Sequence, residues 1–75
     1  MVGGRVIEIA KVAEGKWRIW CVNGSDECAV FVEPDDAVGM PELGEEIWWQ
    51  CGKVYFDGDQ KQLRKIANSH DPRSA

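Results

Sequence analysis

The feature that most constrains the fold of this chain is the short and regular spacing of its turn signals. Glycine-containing dipeptides at 14–15, 23–24, 52–53 and 57–58 interrupt runs that are rich in β-branched and aromatic residues. Runs of about 4–8 such residues between glycine signals are typical of antiparallel strands. Because 75 residues are enough for one domain only, the spacing predicts a single all-β domain.

Closing the sheet on itself is the best way for so small a β domain to avoid exposed strand edges. We therefore predict a small five- to six-stranded antiparallel barrel, OB-like or SH3-like, with no substantial helix. Residues 1–67 would form the barrel. Residues 68–75 would form a C-terminal tail that is either loose or packed back on the barrel.

Two segments fit this scheme less regularly. Residues 34–44 contain two prolines and two glycines, so we expect an irregular connection with at most one helical turn, at 35–38. Residues 60–66 have only two apolar side chains among polar and basic ones. We interpret them as a short edge strand, because charged side chains discourage pairing with other chains. A helical turn is the alternative for this segment.

Alternation of side chains assigns residues to the two faces of the second strand. In 16–22 every second residue faces the core and the others face outward. The core-facing set is Trp17, Ile19 and Cys21, and the outward set is Arg18, Trp20 and Val22. In the following run, Phe31 faces outward if its two valine neighbours face the core.

Residues 44–56, GEEIWWQCGKVYF, contain two adjacent tryptophans, which on a strand must point to opposite faces. A type II′ turn at Gly52-Lys53 would pair Trp49 with Phe56 and Cys51 with Val54. On that register, one face of the hairpin is apolar throughout: Ile47, Trp49, Cys51, Val54 and Phe56. Trp49 is then the core residue, and Trp48 faces outward beside Gln50 and Tyr55.

Charge is distributed unevenly along the chain. The net charge of −4 is composed of +2 in residues 1–22, −8 in residues 23–51 and +2 in residues 52–75. An acidic middle with mildly basic flanks lacks the basic footprint of most nucleic-acid-binding domains.

The residues that could carry chemistry do not form a known pattern. Three cysteines and no recognisable signal peptide or long apolar run favour reduced thiols in a cytoplasm, away from any membrane. Cys21, Cys28, Cys51 and His70 could supply four zinc ligands, but their spacing is not that of a zinc site, so we expect no metal. A lone histidine, adjacent carboxylates and no phosphate loop lead us to predict no enzyme and no cofactor.

The outward aromatic side chains are the best candidates for a binding surface. We predict that it comprises Trp20, Trp48, Tyr55, Arg18, Gln50, Arg64 and Lys65. The structural alternative is that the 34–44 connection, the tail or a second copy of the chain covers these rings. One functional alternative is a protein partner that contacts these rings together with the acidic segment that includes Glu42, Glu45 and Glu46. The other is single-stranded nucleic acid, whose bases would stack on the rings and whose phosphates Lys61 would also contact.

The C-terminal part of the chain resembles small proteins that bacteriophages and prophages encode. The residues that carry the resemblance are Gly44, Ile47, Trp48, Trp49, Gln50, Gly52, Val54, Tyr55, Lys65, Ile66, Ser69, Asp71 and Pro72. Such proteins mostly have no assigned activity, so the resemblance supplies no catalytic residues. It implies a soluble protein in a bacterial host cytoplasm, and it implies that the tail, through Ser69 and Asp71-Pro72, is part of the fold.

These observations together predict a non-enzymatic interaction module that binds a protein partner or itself. An OB-like protein that binds single-stranded nucleic acid is the alternative.

Overall fold

Six antiparallel strands make up most of the fold. The structure is a computed structural model that describes the backbone of residues 2–69 and the side chains of residues 3–66. The strands are β1 (Val2–Ala13), β2 (Lys16–Asn23), β3 (Asp26–Glu33), β4 (Glu46–Gln50), β5 (Lys53–Phe56) and β6 (Lys61–Ser69). They form a closed barrel in the order β1-β2-β3-β6-β5-β4, and β4 pairs with β1 to complete the ring.

The prediction of a small antiparallel barrel is therefore confirmed, with six strands. No helix occurs in the range 2–69. In particular, that range has no helix of the length and apolar composition needed to cross a membrane.

The antiparallel order sorts the connections to the two ends of the barrel. Since neighbouring strands run in opposite directions, the β1–β2, β3–β4 and β5–β6 connections lie at one end. The β2–β3 and β4–β5 turns lie at the other end.

The core is built from the alternate side chains that point into the barrel. Its buried members are Val6, Ile19, Cys21, Cys28, Val30, Val32, Ile47, Trp49, Val54, Phe56 and Leu63. Trp17 packs against this cluster while partly exposed, in agreement with the predicted alternation. Trp49 is only 4% exposed, whereas Trp48 is half-buried on the outside, so the predicted division of the tryptophan pair is correct.

The register of the β4–β5 hairpin differs from the predicted one by two residues. Trp48 pairs with Tyr55, Trp49 with Val54 and Gln50 with Lys53, so the turn is Cys51-Gly52. Both turn residues have positive φ, 53° and 78°, as a type I′ turn requires. A shift of two preserves the faces of the strands, which is why Trp49 still points inward. The prediction that Cys51 faces the core is wrong, since it lies exposed in the turn.

β6 is an interior strand, so its prediction as an edge strand is wrong. It pairs with β3 on one side and with β5 on the other. Closure of the ring supplies both partners, which local sequence does not show. Leu63 points into the core, and the strand continues to Ser69, two residues beyond the predicted barrel boundary. The backbone of Ser69 pairs with Ala29, and the predicted contributions of His70, Asp71 and Pro72 lie outside the described residues.

Two glycines allow the barrel to close at the start of β1. A Cβ on Gly3 would meet the Ile47 carbonyl oxygen and would lie 2.8 Å from the Trp48 Cβ. A Cβ on Gly4 would lie 2.8 Å from the Val22 carbonyl oxygen. Any side chain at these positions would therefore push β1 away from β4 or from β2.

The long β3–β4 connection is irregular, as predicted, and begins with one helical turn. Asp35 holds that turn: its carbonyl accepts bonds from the N–H groups of Val38 and Gly39, and its carboxylate accepts one from Ala37. The connection then follows β1, where Gly44 N–H donates to the Val6 carbonyl at 2.7 Å.

Candidate functional site

Trp48 and Tyr55 form a stacked pair on the outside of the barrel. They face each other across the β4–β5 ladder, with ring centroids 6.2 Å apart and an angle of 20° between the ring planes. Both rings are half-buried, and each shields part of the other from water. The near-parallel arrangement is the offset stacking that aromatic pairs prefer, so the two rings form one continuous aromatic surface on the sheet.

Polar and basic side chains extend this aromatic pair across three strands. The next outward positions on β5 and β6 follow from the register, in which Tyr55 pairs with Gln62 and Lys53 pairs with Arg64. We call this surface the Trp48 wall, and its members are Trp48, Gln50, Lys53, Tyr55, Gln62 and Arg64. The wall has an aromatic centre with two amide and two cationic side chains along its side.

A shallow groove borders the Trp48 wall on the β1 side. It has a volume of about 340 Å³, and its lining includes Gly3, Gly4, Arg5, Glu46 and Trp48. Gly3 pairs with Trp48, and the missing side chain of Gly3 lets the backbone of β1 lie close to Trp48. Arg5 and Glu46 are opposite each other across the β1–β4 ladder, so the groove carries both signs of charge.

A second depression lies at the β6 side of the wall, near the β4–β5 turn. It has a volume of about 430 Å³ and includes Cys51, Gly52, Lys53 and Arg64 in its lining. The first groove thus borders the wall, whereas Lys53 and Arg64 of the wall itself line the second depression, and neither is an enclosed cavity.

Trp20 belongs to a different part of the barrel surface. Along β1, Trp48 stands opposite Gly3 and Trp20 opposite Glu8, five residues further on. At about 3.3 Å per residue this separates them by roughly 16 Å along the strand. The predicted single surface is therefore divided into two, and only the part around Trp48 is continuous with Tyr55.

Intramolecular contacts engage Trp20 and Arg18. The Trp20 indole N–H donates to a Glu27 carboxylate oxygen at 3.2 Å, and the Arg18 guanidinium lies 5.6 Å from the Trp20 ring centroid. Arg18 also forms an ion pair with Glu8 at 3.0 Å. The single indole N–H group of Trp20 therefore already has an acceptor within the chain.

Phe31 faces outward, as expected once Val30 and Val32 point inward, but it is only 7% exposed. The Lys16 ammonium lies 4.8 Å from its ring centroid. This ring is covered by its neighbours and is not available to a partner.

The basic residues of β6 that the sequence assigned to one surface lie in different places. Arg64 lies on the Trp48 wall with a side chain 79% exposed and forms an ion pair with Glu33 at 3.3 Å. Lys65 pairs with Val32, so it alternates to the other side of β6 from Arg64, and its backbone N–H donates to the Gly52 carbonyl. Lys61 lies at the start of β6, 3.8 Å from the Asp57 carboxylate. Of the predicted surface, the structure therefore brings together Trp48, Tyr55, Gln50 and Arg64.

Sequence reasoning missed Lys53 and Gln62 as members of this wall. The predicted turn placed Lys53 in the loop and not on strand β5. The sequence pattern did not show which residue of a neighbouring strand pairs with Gln62. The signal that would have placed Lys53 is the Cys51-Gly52 turn, because it makes Gln50 and Lys53 the closing pair of the hairpin.

The acidic residues are concentrated at one end of the barrel. Its three connections, 14–15, 34–45 and 57–60, contain seven acidic residues and no basic one. We call this the acidic end, and its acids are Glu14, Asp35, Asp36, Glu42, Glu45, Asp57 and Asp59. The six strands carry eight basic residues against five acidic ones, a net charge of +3. Leu43 adds an exposed apolar side chain to the acidic end.

The cysteines and carboxylates do not converge on a metal site within the described part of the chain. No group of three or more His, Cys, Asp or Glu side chains is arranged there to hold an ion. Burial raises the pKa of Cys21 from 9.0 to about 12, with a further contribution from neighbouring Cys28, whose own pKa burial also raises. Both groups are therefore neutral thiols near pH 7.

The fold and this outer wall define a small six-stranded antiparallel barrel with one ordered aromatic face. No protein-family model matches the chain, and neither a curated protein nor a solved structure matches it.

Proposed function

We propose that the protein is a non-enzymatic interaction module that binds a protein partner, or a second copy of itself, through the Trp48 wall. The observation that carries the proposal is the ordered Trp48–Tyr55 pair on the outside of the barrel. Tryptophan and tyrosine dominate the binding energy of many interfaces, because they supply a large contact area with few rotatable bonds. In line with the phage resemblance, we place this activity in a bacterial cytoplasm.

The surroundings of the pair support the same proposal. Stable interfaces combine an apolar centre with a polar rim that can form hydrogen bonds. Here Gln50 and Gln62 supply amide groups, and Lys53 and Arg64 supply cations. The groove beside Trp48 adds a concave surface in which a partner side chain can be buried.

Site-specific photo-crosslinking tests this proposal even though the partner is unidentified. A benzophenone amino acid at position 62, on the wall, should form a defined adduct in the bacterial host or with a second copy at high concentration. Position 12, exposed on β1 and outside the wall, carries the control crosslinker. Trp48→Ala should abolish the adduct from position 62.

Binding of the protein to a second copy of itself is measured separately, by light scattering across a concentration series. An adduct that Trp48→Ala leaves unchanged, or equal adducts from positions 62 and 12, would contradict binding through the wall. A strictly monomeric protein that forms no adduct at position 62 would contradict the proposal as a whole.

Single-stranded nucleic acid is the second candidate, and the separation of charges favours it. The acidic residues that would repel phosphates are concentrated in the connections at the acidic end. Lys53 and Arg64 stand beside the two rings, and the other basic residues of the described chain also lie on the strands. Aromatic side chains flanked by basic ones are the usual elements of single-strand binding.

Titration with an oligonucleotide distinguishes this second candidate from the first. Binding should quench tryptophan emission at low salt and weaken as salt is added, since phosphate contacts release counterions. For two phosphate contacts, log K should fall with log salt with a slope of about −1.4. Lys53→Ala with Arg64→Ala should remove that slope, whereas Lys11→Ala should leave it. An unchanged emission at low salt would exclude nucleic-acid binding.

A further inference from the structure

Cys21 and Cys28 face each other directly across the β2–β3 ladder. Both side chains point into the barrel, and both belong to the core cluster. Neither thiol is bonded to another cysteine. Nothing in the proposed interaction function uses them, although each is the nearest reactive group to the other.

We propose that this pair is a covalent modification site, at which a two-electron oxidant closes a disulfide across the β2–β3 hairpin. The positions suit the bond. Residues directly opposite each other in an antiparallel ladder have Cα atoms about 4.5–5.5 Å apart. That separation lies within the range of about 4.4–6.8 Å over which disulfides form without backbone movement.

The two thiols differ in how an oxidant can reach them. Cys21 is fully buried, whereas Cys28 is 9% exposed. Only two ladder pairs, Val22 with Glu27 and Asn23 with Asp26, separate them from the turn at the end of the hairpin. A short local opening of that end is therefore enough to expose Cys28, and turns are where such openings occur most readily.

The reaction balances with hydrogen peroxide as oxidant. In the opened hairpin the Cys28 thiol gives its proton to water, and the resulting thiolate attacks peroxide. The O–O bond breaks, and a sulfenic acid forms as hydroxide leaves and takes up that proton to become water. The Cys21 sulfur then attacks that sulfenic acid, the S–O bond breaks, and a second water leaves with the Cys21 proton. In sum, two thiols are oxidised to one disulfide and one peroxide is reduced to two waters.

Cys51 is the internal reference for this site. It lies exposed in the β4–β5 turn, and neither β4 nor β5 neighbours β2 or β3 in the order of the barrel. The fold therefore gives Cys51 no intramolecular partner on the ladder that joins the other two. Replacing it with serine leaves the pair alone and removes the most accessible thiol.

The first experiment oxidises the folded Cys51→Ser protein with dilute hydrogen peroxide, then unfolds it and labels free thiols with N-ethylmaleimide. The untreated protein should accept two labels. The oxidised protein should accept none, should have lost the mass of two hydrogen atoms, and should remain monomeric. Retention of both labels, a covalent dimer as the main product, or addition of oxygen atoms in place of the bond would overturn the proposal.

A second measurement shows whether the folded hairpin itself favours the bond, because an unfolded chain with two nearby cysteines also oxidises. The Cys51→Ser protein is equilibrated with glutathione and glutathione disulfide, in buffer and in about 6 M urea. We expect the equilibrium constant for disulfide formation to be on the order of tenfold larger in the folded protein. An equal or smaller constant in buffer would show that the barrel opposes the bond, and would overturn the proposal.

Discussion

The carboxylate of Glu45 joins two separate connections at the acidic end of the barrel. One oxygen accepts a hydrogen bond from the Asp57 backbone N–H at 2.9 Å, and the other accepts one from the Glu42 N–H at 3.0 Å. The Glu45 carbonyl also accepts a bond from the Val6 N–H. This one residue therefore fixes the β3–β4 connection to both the β5–β6 hairpin and β1.

Removing that carboxylate should lower the stability of the barrel. We expect Glu45→Ala to reduce the free energy of unfolding by about 1–3 kcal/mol, because two backbone N–H groups lose a charged acceptor. Urea denaturation provides the measurement. Glu46→Ala, at the exposed neighbouring position, is the control and should change stability by no more than about 0.5 kcal/mol. Equal effects of the two substitutions would show that the Glu45 bonds contribute nothing.

The two adjacent tryptophans should respond very differently to truncation. Trp49→Ala creates a cavity in the core and should cost about 3–5 kcal/mol, enough to unfold much of a domain of this size. Trp48→Ala removes the stacking with Tyr55 and should cost about 1 kcal/mol. Circular dichroism with urea denaturation compares them. A larger loss for Trp48→Ala would contradict the assignment of the two faces.

The type I′ turn predicts a stabilising substitution at Cys51. Asparagine adopts positive φ more readily than cysteine, and Asn-Gly is the preferred type I′ sequence. Cys51→Asn should therefore raise the free energy of unfolding by about 0.4–1 kcal/mol. Cys51→Ala is the control, since alanine does not favour positive φ, and it should give no gain. If the turn were Gly52-Lys53, the asparagine substitution would bring no stabilisation.

The buried thiols predict a loss of stability in alkali. The pKa of Cys21 is about 12 in the folded barrel and 9.0 without burial, so the unfolded chain releases this proton at lower pH. The contribution of the buried Cys21 thiol to the free energy of unfolding is complete below pH 9, and it is lost as the pH rises from 9.0 towards about 12. Between these two pH values, the free energy of unfolding of the wild type should fall more steeply than that of Cys21→Val, by up to about 1.4 kcal/mol per pH unit.

Urea denaturation of both proteins between about pH 8 and 11 measures this difference. Comparing the two curves cancels the titration of lysine and tyrosine, which the proteins share. Parallel curves would show that the Cys21 thiol ionises in the folded state as it does in the unfolded chain.

Apart from Cys51, which lies in a turn, the face of the assigned strand residues was predictable from sequence, because alternation depends only on neighbouring positions. Alternation places Trp49, Ile19 and Val54 in the core, and the structure agrees. The exact register was harder. A cysteine with positive φ is uncommon, so Gly52 suggested a turn that begins one residue too late. That error shifts the pairing of the two strands by two residues, and a shift of two leaves every strand residue on its predicted face.

The position of one strand beside another was not predictable from local patterns. The sequence of β6 is polar enough for an edge strand, yet ring closure gives it partners on both sides. For the same reason, Trp20 and Trp48 could be assigned to the outer face but not to separate regions of it. That separation depends on where β1 pairs with β2 and with β4, and it is a property of the closed barrel alone.

The alternation of connections between the two barrel ends also has a consequence for the molecule in motion. Within the described part of the chain, seven carboxylates at one end and a net positive set of strands produce a permanent electric dipole. The field of a charged object exerts a torque on this dipole and turns the barrel before contact is made. The barrel therefore approaches a polyanion with its acidic end pointing away, and it approaches a polycation with its acidic end in front. Ionic strength will therefore govern the orientation of an encounter as well as its rate.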